Sequence, residues 1–304
     1  MDQIVEVASD NRHLKKERGF LVVCEGHKEI GRVPLDGILA VLIHAHGVTY
    51  SNNLLVALAA QGSLVVLCGA NHAPSAVMMP LETNSLQGAR TRAQWDAGKP
   101  LIKQLWKQIV RQKILAQADC LAAFHLPDAP VRSLVRSVRS GDEGNVEAQA
   151  ARRYWRQLMG KDFRRDIGAV GHNSQLNYGY TILRSMVMRA IVSAGLNPTI
   201  GVFHSNRGNA FALADDLVEP FRPIVDALVL HCKHKGIEDL TPELKQQFSR
   251  ITRLDVETDD ILCPLGQAAH RLVLSLVNAY EKQETRLVYP KFPSALEIAS
   301  LNEA

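Results

Sequence analysis

The 304-residue chain has few cysteines, few aromatic residues and no cysteine motif. Its five cysteines are odd in number and scattered, and no C-x-x-C pair occurs among Cys24, Cys68, Cys120, Cys232 and Cys263. This spacing provides neither a disulfide framework nor a zinc ribbon. It fits a reducing compartment, and we therefore expect a cytoplasmic protein.

Long apolar runs are also missing. The longest one, at residues 37–48, is interrupted by His44 and His46 and is shorter than the ~20 residues that span a bilayer. The first residues have neither the basic nor the apolar region of a secretory signal. We expect no membrane segment.

The composition is otherwise that of a soluble globular protein. Hydrophobic residues make up 46% of the chain and charged residues 22%, which excludes the disordered, collagenous and low-complexity classes. The length is sufficient for one large domain or two ordinary ones.

Short segments rich in valine and isoleucine, separated by turn residues, predict strands in the first 85 residues. A capped helix is predicted within them at 54–60. The predicted strands cover residues 4–8, 20–25, 28–33, 38–46, 64–68 and 77–81. We therefore expect a β-rich, sandwich-like N-terminal domain at 1–85 with one inserted helix.

Beyond residue 85 the apolar residues recur at helical spacing. The clearest helix covers 101–115, where the apolar residues lie on one face and the lysines on the other. Further helices are predicted at 131–139, 146–159, 177–194, 217–233, 242–250 and 265–284. We expect an all-α domain at 86–288 and a weakly ordered tail at 289–304. The predicted fold class is α+β with two domains.

Basic residues concentrate in the middle of the chain. The net charge is only +4, but lysines and arginines clearly outnumber acids between residues 99 and 189. A polyanion could bind there. Ordinary solvated helix faces explain the same pattern equally well.

Three segments of the helical half combine acids or a histidine with basic residues. Glu147 falls in the first turn of a predicted helix, after the turn and cap residues at 140–145. His204 ends an apolar segment and precedes a polar loop. Asp216 and Glu219 share a helix face at i, i+3.

Each of these residues also has a purely structural explanation. Glu147 can complement the helix dipole, a lone histidine is more often a hydrogen-bonded structural residue, and at least one of the aspartates at 215 and 216 serves as an N-cap. Taken together, Glu147, His204 and the carboxylate of Asp216 or Glu219 form a mixed oxygen and nitrogen set. Such a set suits Mg²⁺ or Mn²⁺ better than structural zinc.

Four ordered motifs carry a resemblance to a known family. They are VEAQAARRYW at 146–155, NSQLNYGY at 173–180, GVFH at 201–204 and DLVEPFRP at 216–223. In this order they resemble the signature of the CRISPR-associated integrase of spacer acquisition. The stretches VPL at 33–35, SNNLL at 51–55 and HAPSA at 72–76 are similar to the type II variant of that family.

The resemblance implies a dimerising N-terminal domain and a helical catalytic domain that holds one Mg²⁺ or Mn²⁺ site per subunit. Glu147, His204 and Glu219 match the family's metal ligands, although many members have Asp at the position of Glu219. Asp216 matches an accompanying, accessory acid whose ligand status stays open. The implied partners are double-stranded DNA, a second copy of the chain and a small ferredoxin-like adaptation protein. Whether the RNA-guided effector nuclease also takes part is left open.

The implied reaction is the insertion of short foreign DNA fragments into a CRISPR array by attack of a 3′-hydroxyl on a phosphodiester. Such a step needs alignment and charge neutralisation rather than a protein nucleophile. The candidate phosphate contacts are Arg152, Arg153, Arg207 and Arg222. Two alternatives stay open: a structure-selective metal-dependent nuclease on branched DNA, and a non-catalytic DNA-binding subunit of a defence complex.

Overall fold

Two four-stranded β-sheets form the N-terminal part of the protein. In the computed structural model, which describes residues 3–69, 74–81 and 84–301, one sheet has the order β1-β5-β7-β8 and the other β4-β3-β2-β6. The strands are β1 Gln3–Val7, β2 Arg12–Glu17, β3 Phe20–Glu25, β4 Lys28–Pro34, β5 Ile38–Ile43, β6 Val48–Tyr50, β7 Leu64–Cys68 and β8 Pro74–Met78. Helix α1, Asn52–Ala60, is inserted between β6 and β7. Residues 72 and 73 of the motif at 72–76 lie outside the described residues.

The two sheets enclose a small apolar core. Leu14 and Leu21 of one sheet belong to the same buried cluster as Val41 and Val65 of the other, together with Leu54 of α1. Strand β5 is buried along its whole length because its other face packs on the helical half, through residues such as Leu42. A strand covered on both faces reads as a continuous apolar run, which is why the sequence predicts it, although the strand ends at Ile43 and not at residue 46.

Strand β2 was missed in the sequence analysis. Only Leu14 of its six residues is buried, so its sequence shows no alternation of apolar and polar residues. Charged side chains on the face opposite Leu14 pair instead, as Lys15 does with Glu17 at 2.9 Å. Hydrogen bonds to β3 on one side and β6 on the other, rather than a hydrophobic pattern, hold this strand in place.

The rest of the chain is mainly helical. Its helices are α2 Gln87–Trp95, α3 Lys99–Ala123, α4 Ala129–Arg132, α5 Val146–Leu158, α6 His172–Ser193, α7 Ala212–Val218, α8 Arg222–His234, α9 Pro242–Ser249, α10 Leu265–Lys282 and α11 Ala295–Ser300. Short 3₁₀ turns occur at Ser133–Ser137, Ser140–Asp142, Glu219–Phe221 and Arg250–Arg253. The α+β fold class, strand-rich first and helical afterwards, is confirmed. The predicted boundaries at residues 85 and 288 stay a prediction.

A β-hairpin interrupts the half that was expected to be all-α. Strands β9, Asp255–Thr258, and β10, Ile261–Pro264, pair antiparallel across a two-residue turn. Both turn residues, Asp259 and Asp260, have positive φ, as a type I′ turn requires. No glycine marks this turn, and the hairpin was therefore not predicted from the sequence.

Helix α6 lies at the centre of the helical half and contacts α7, α8, α9, α10 and strand β5. At Gly179 a Cβ atom would lie only 2.5 Å from Cγ1 of Val225 on α8. Glycine is therefore what permits the close approach of α6 and α8. This packing fixes the start of α8, next to the candidate site described below.

The C-terminal segment, expected to be weakly ordered, packs on the helical core. It contains helix α11, which begins with a capping box between Ser294 and Glu297. Ile298 and Leu301 are buried, and α11 contacts α8. The residues that bury this segment are few and widely spaced in sequence, so composition alone did not reveal its order. Among the residues that the structure describes, no helix is both long and apolar enough to cross a bilayer.

Candidate catalytic site

Glu147 is positioned by a tight turn at the start of α5. Asp142 accepts hydrogen bonds from the backbone N–H groups of Val146 (3.0 Å) and Glu147 (3.1 Å), and so satisfies two otherwise unpaired donors of the helix N-terminus. The turn needs positive φ at Gly141, Asp142 and Asn145. The predicted cap within 140–145 therefore exists, and it presents Glu147 in the first helical turn.

Glu219 reaches the same place from a different element. It begins the 3₁₀ turn Glu219–Phe221, which joins α7 to α8 and packs against α3. Its side chain is only 6% exposed, and Arg222 Nη2 lies 3.2 Å from its Oε1. Burial would raise the pKa of Glu219, but Arg222 and Lys113 outweigh burial and hold that pKa below its ordinary value.

A lysine lies between the two glutamates. The Nζ atom of Lys113 is 2.6 Å from Oε1 of Glu147 and 2.5 Å from Oε2 of Glu219. Burial would lower the pKa of Lys113, yet Glu219 and Glu147 together raise it. Two carboxylates from separate helical elements thus converge on one largely buried cationic group.

Lys113 contradicts the expectation that the lysines of this helix lie on its solvent face. A sequence signal for its position exists. Lys113 follows Ile109 by four residues and Trp106 by seven, and therefore falls on the apolar stripe of α3. A lysine on such a stripe needs a buried partner, and here it has two.

His204 is held by Asp216. Its ring Nδ1 donates to Oδ1 of Asp216 at 2.6 Å, and this hydrogen bond raises the pKa of His204. A histidine held at Nδ1 presents Nε2 to a ligand. The charge of Glu219 contributes to the same pKa shift, so that His204 and Glu219 act on each other electrostatically.

Asp216 has no free oxygen for a metal. Besides the histidine ring, its carboxylate accepts the backbone N–H groups of Val202 (2.6 Å), Phe203 (2.9 Å) and His204 (3.2 Å), and the side chain is fully buried. A Cβ atom at Gly201 would lie 2.8 Å from Oδ2 of Asp216, so glycine is needed where the loop wraps around this carboxylate. The geometry favours an orienting role for Asp216 over that of a ligand.

The four candidate phosphate contacts fall into two groups. Arg152, Arg153 and Arg207 are exposed, and Arg153 also donates to the carbonyl of Pro130. Arg222 is different, because its guanidinium lies between Glu219 and the ring of Tyr180, 4.9 Å from the ring centroid. Arg222 is therefore better placed to hold Glu219 than to bind a phosphate.

A buried hydrogen-bond network contacts Arg222 through the ring of Tyr180. Asp226 accepts hydrogen bonds from the hydroxyls of Tyr180 (2.5 Å) and Tyr154 (2.9 Å). Burial raises the pKa of Asp226 to about 6, although both tyrosines and Arg222 oppose the shift. Nothing in the sequence pattern singled out Asp226, since it lies one turn beyond the motif at 216–223.

The residues present fit a hard divalent cation. Carboxylate oxygens and an imidazole nitrogen are suitable donors, and Glu147 and Glu219 already surround a positive charge. In the part of the chain that the structure describes, no three His, Cys, Asp or Glu side chains stand as a preformed metal cluster. Lys113 occupies the space between the two carboxylates, and His204 contacts Asp216 instead.

Comparison with known proteins identifies the family. The family model described as CRISPR associated protein Cas1 matches residues 5–243. The chain belongs to the Cas1 family. It is 38% identical over 237 residues to a CRISPR-associated endonuclease Cas1 of Neisseria meningitidis serogroup C (strain 8013), covering 75% of this chain and 76% of the relative. It is 30% identical over 305 residues to a second Cas1 endonuclease, from Pyrobaculum aerophilum, covering 91% of this chain and 98% of the relative.

Solved structures show the same fold. A casposase bound to integration product superimposes with a TM-score of 0.76 at 20% identity, covering 94% of this chain and 92% of that one. A Cas6-RT-Cas1–Cas2 complex gives a TM-score of 0.75 at 18% identity, covering 96% of this chain and 36% of that one. The resemblance to the CRISPR-associated integrase family, stated from four motifs, is therefore confirmed.

Proposed function

We propose that this Cas1 protein is a metal-dependent DNA endonuclease and integrase that inserts short DNA fragments into a CRISPR array. The observation that carries the proposal is the convergence of Glu147 and Glu219 on one cationic position, beside a histidine oriented by Asp216. The proposal is further supported by relatives named as endonucleases and by the fold shared with a casposase bound to integration product.

Glu147, Glu219 and Nε2 of His204 would hold the Mg²⁺ or Mn²⁺ ion. When bound, the ion would supply Lewis acidity and neutralise charge on the reacting phosphate. Asp216 fixes the orientation of the histidine, and Arg222 keeps Glu219 ionised and in place. Lys113 lies between the two carboxylates and would be available to a phosphate oxygen if an ion took that position.

The DNA would lie across the exposed basic surface next to the site. Arg152 and Arg153 extend from α5, the helix whose first turn carries Glu147, and Arg207 follows His204 in the same loop. Phosphate contacts of this kind position a duplex without reading its sequence. The attacking group is the 3′-hydroxyl of one DNA end, and the leaving group is the 3′-oxygen of the target strand, which is released as a hydroxyl. No side chain therefore needs to act as nucleophile.

We also propose that the chain works as a homodimer and assembles with a small ferredoxin-like adaptation protein. Joining two 3′ ends at two separated phosphates needs two copies of a single site, which a symmetric assembly provides. The fold shared with a Cas6-RT-Cas1–Cas2 complex is compatible with this. Light scattering of the purified chain, alone and with the partner, tests it. A chain that stays monomeric in both samples, yet joins both ends at a fixed spacing, contradicts the proposal.

The function itself is tested by a strand-transfer assay with a short duplex that has free 3′ ends and a supercoiled plasmid that carries a repeat. Wild-type protein should join the duplex to the plasmid in Mg²⁺ or Mn²⁺, and EDTA should stop the reaction. Glu147→Ala, His204→Ala and Glu219→Ala should each abolish joining. Double variants should be no worse than single ones, because the three residues act as a unit.

Glu143→Ala is the matched control, because Glu143 is an exposed carboxylate paired with exposed Lys103 one turn before Glu147. It should join DNA at the wild-type rate. Metal-dependent cleavage of branched DNA without joining would replace the proposal with a structure-selective nuclease. DNA binding that never leads to cleavage or joining would make the chain a non-catalytic binding subunit.

A further inference from the structure

Phe203, the residue before His204, exposes a large apolar ring beside the candidate site. The ring is 54% exposed, although it immediately precedes the residue that Asp216 holds most closely. Leaving an aromatic ring in water is unfavourable. Because the Phe203 ring lies next to the site, we expect a ligand to cover it.

The ring packs against a buried aromatic neighbour. Trp106, itself only 2% exposed, stacks against it with a centroid distance of 4.3 Å and an angle of 5° between the ring planes. The backbone N–H of Phe203 donates to Oδ2 of Asp216 at 2.9 Å. Because Trp106 covers one face, the exposure falls on the opposite face. A flat aromatic surface is thus presented to solvent.

The ring lies close to a proposed metal ligand. Its centroid is 5.8 Å from that of the His204 ring, and Trp106, on which it stacks, lies on the same stripe of α3 as Lys113. Stacked bases of one strand are about 3.4 Å apart, so a base on this ring would lie within a few steps of a DNA end that reaches the site. Arg207, exposed four residues after Phe203, provides positive charge for the backbone of the same strand.

We propose that Phe203 is a stacking platform for an unpaired base of the DNA strand whose 3′ end reaches the site. The inference rests on the proposed function, because it assumes that a DNA end lies between Glu147 and Glu219. Stacking on an aromatic side chain is tolerant of base identity and contributes about 1–3 kcal/mol per base. A base can reach the ring only when it is not paired, so Phe203 selects ends whose last bases are single-stranded.

A purely structural role for Phe203 makes a different prediction. If the ring only shields Trp106, leucine should replace it, because leucine also covers the indole but offers no flat face to a base. Tyrosine and tryptophan keep the flat face. Comparing these three replacements therefore separates stacking from shielding.

The experiment uses a duplex with a five-nucleotide 3′ overhang that carries 2-aminopurine at one of the five positions in turn. Binding of the wild-type protein without a divalent cation should quench the fluorescence most strongly at one position within the overhang. Phe203→Leu should lose that quenching and bind the overhang duplex at least about fivefold more weakly. Phe203→Tyr and Phe203→Trp should retain both properties.

A blunt duplex is the control substrate, and its affinity should be the same for the wild type and Phe203→Leu. Equal quenching by wild type and Phe203→Leu overturns the proposal, as does an equal loss of affinity for blunt and overhang duplexes. A thermal unfolding midpoint of Phe203→Leu close to that of the wild type shows that the variant is folded.

The outcome for Phe203 is separable from the outcome for the proposed function. The fluorescence measurement needs no chemical step, and strand transfer is measured separately on the same proteins. Quenching that depends on Phe203 in a protein that never joins DNA would refute the integrase proposal and leave the stacking role standing. If Phe203→Leu changes neither the joining of DNA nor the quenching, the stacking role is refuted and the integrase proposal stands.

Discussion

Nδ1 of His204 lies 2.6 Å from Oδ1 of Asp216, and the same carboxylate binds three consecutive backbone N–H groups of the loop that carries the histidine. The side chain and the loop are therefore oriented by one buried acid. Asp216, expected as an accessory acid of the site, is therefore placed to orient His204.

We expect Asp216→Asn to reduce strand transfer by about 10–100-fold, the usual effect of losing a group that orients a metal-binding histidine. The amide of asparagine cannot accept all four hydrogen bonds. Asp215→Asn is the matched control, since Asp215 pairs with Arg184 and not with His204. The rates should be measured over a range of Mn²⁺ concentrations. A rate for Asp216→Asn equal to that of the control would show that the orientation of His204 does not limit the reaction.

Lys113 should compensate the charge of the two glutamates when no divalent cation is bound. We expect Lys113→Gln to lower the free energy of unfolding by about 3 kcal/mol, because it leaves two carboxylates without their shared partner. Mn²⁺ should then raise the thermal unfolding midpoint of this variant more than that of the wild type.

Lys103→Gln is the control for the lysine prediction, because Lys103 pairs with exposed Glu143. The loss of such a surface pair costs at most about 1 kcal/mol. If Mn²⁺ shifts the unfolding midpoints of Lys113→Gln and of the wild type equally, Lys113 does not share its position with the ion.

DNA affinity should fall steeply with salt, in proportion to the number of phosphates contacted. We expect the double replacement of Arg152 and Arg153 by Gln to make the slope of log K against log [salt] less steep by about 1 to 2, since each phosphate contact contributes about 0.9. Arg32→Gln, on the N-terminal sheet and paired with Glu29, should leave the slope unchanged. An unchanged slope in the double variant would place the DNA on another face.

Asp226 should make the stability of the protein depend on pH in a defined direction. Burial raises its pKa to about 6, so that between about pH 4 and pH 6 the folded state binds more protons than the unfolded state. The contribution of Asp226 to the free energy of unfolding should therefore decrease as the pH rises through this range, by up to about 3 kcal/mol.

Urea unfolding at several pH values tests this, with Asp226→Asn as the variant that cannot titrate. The difference between wild type and Asp226→Asn should change between pH 4 and pH 6 and be constant above that range. Tyr180→Phe removes a hydrogen bond that lowers the pKa of Asp226 and should extend the change to higher pH. A difference that is constant from pH 4 to pH 8 would contradict the prediction.

The sequence by itself determined most of the secondary structure and the identity of the family. Period-3.6 patterns arise where one face of a helix is buried, as in α3 and α10, and β5 shows a continuous apolar run because both of its faces are covered. The turn at 140–145 placed Glu147 at a helix N-terminus through local contacts alone. Strand β2 and the hairpin β9–β10 escaped prediction because the first has one buried residue and the second has a turn without glycine.

Only the tertiary structure decided how the site residues divide their roles. Lys113, Glu147 and Glu219 come from three separate elements, and no local pattern states that α3, α5 and the turn before α8 pack around one point. Asp216 and Glu219 are three residues apart and chemically alike. The Asp216 carboxylate nevertheless accepts three backbone N–H groups, whereas the Glu219 carboxylate pairs with Lys113. Burial and hydrogen-bond partners, which only packing supplies, fix the role of each carboxylate.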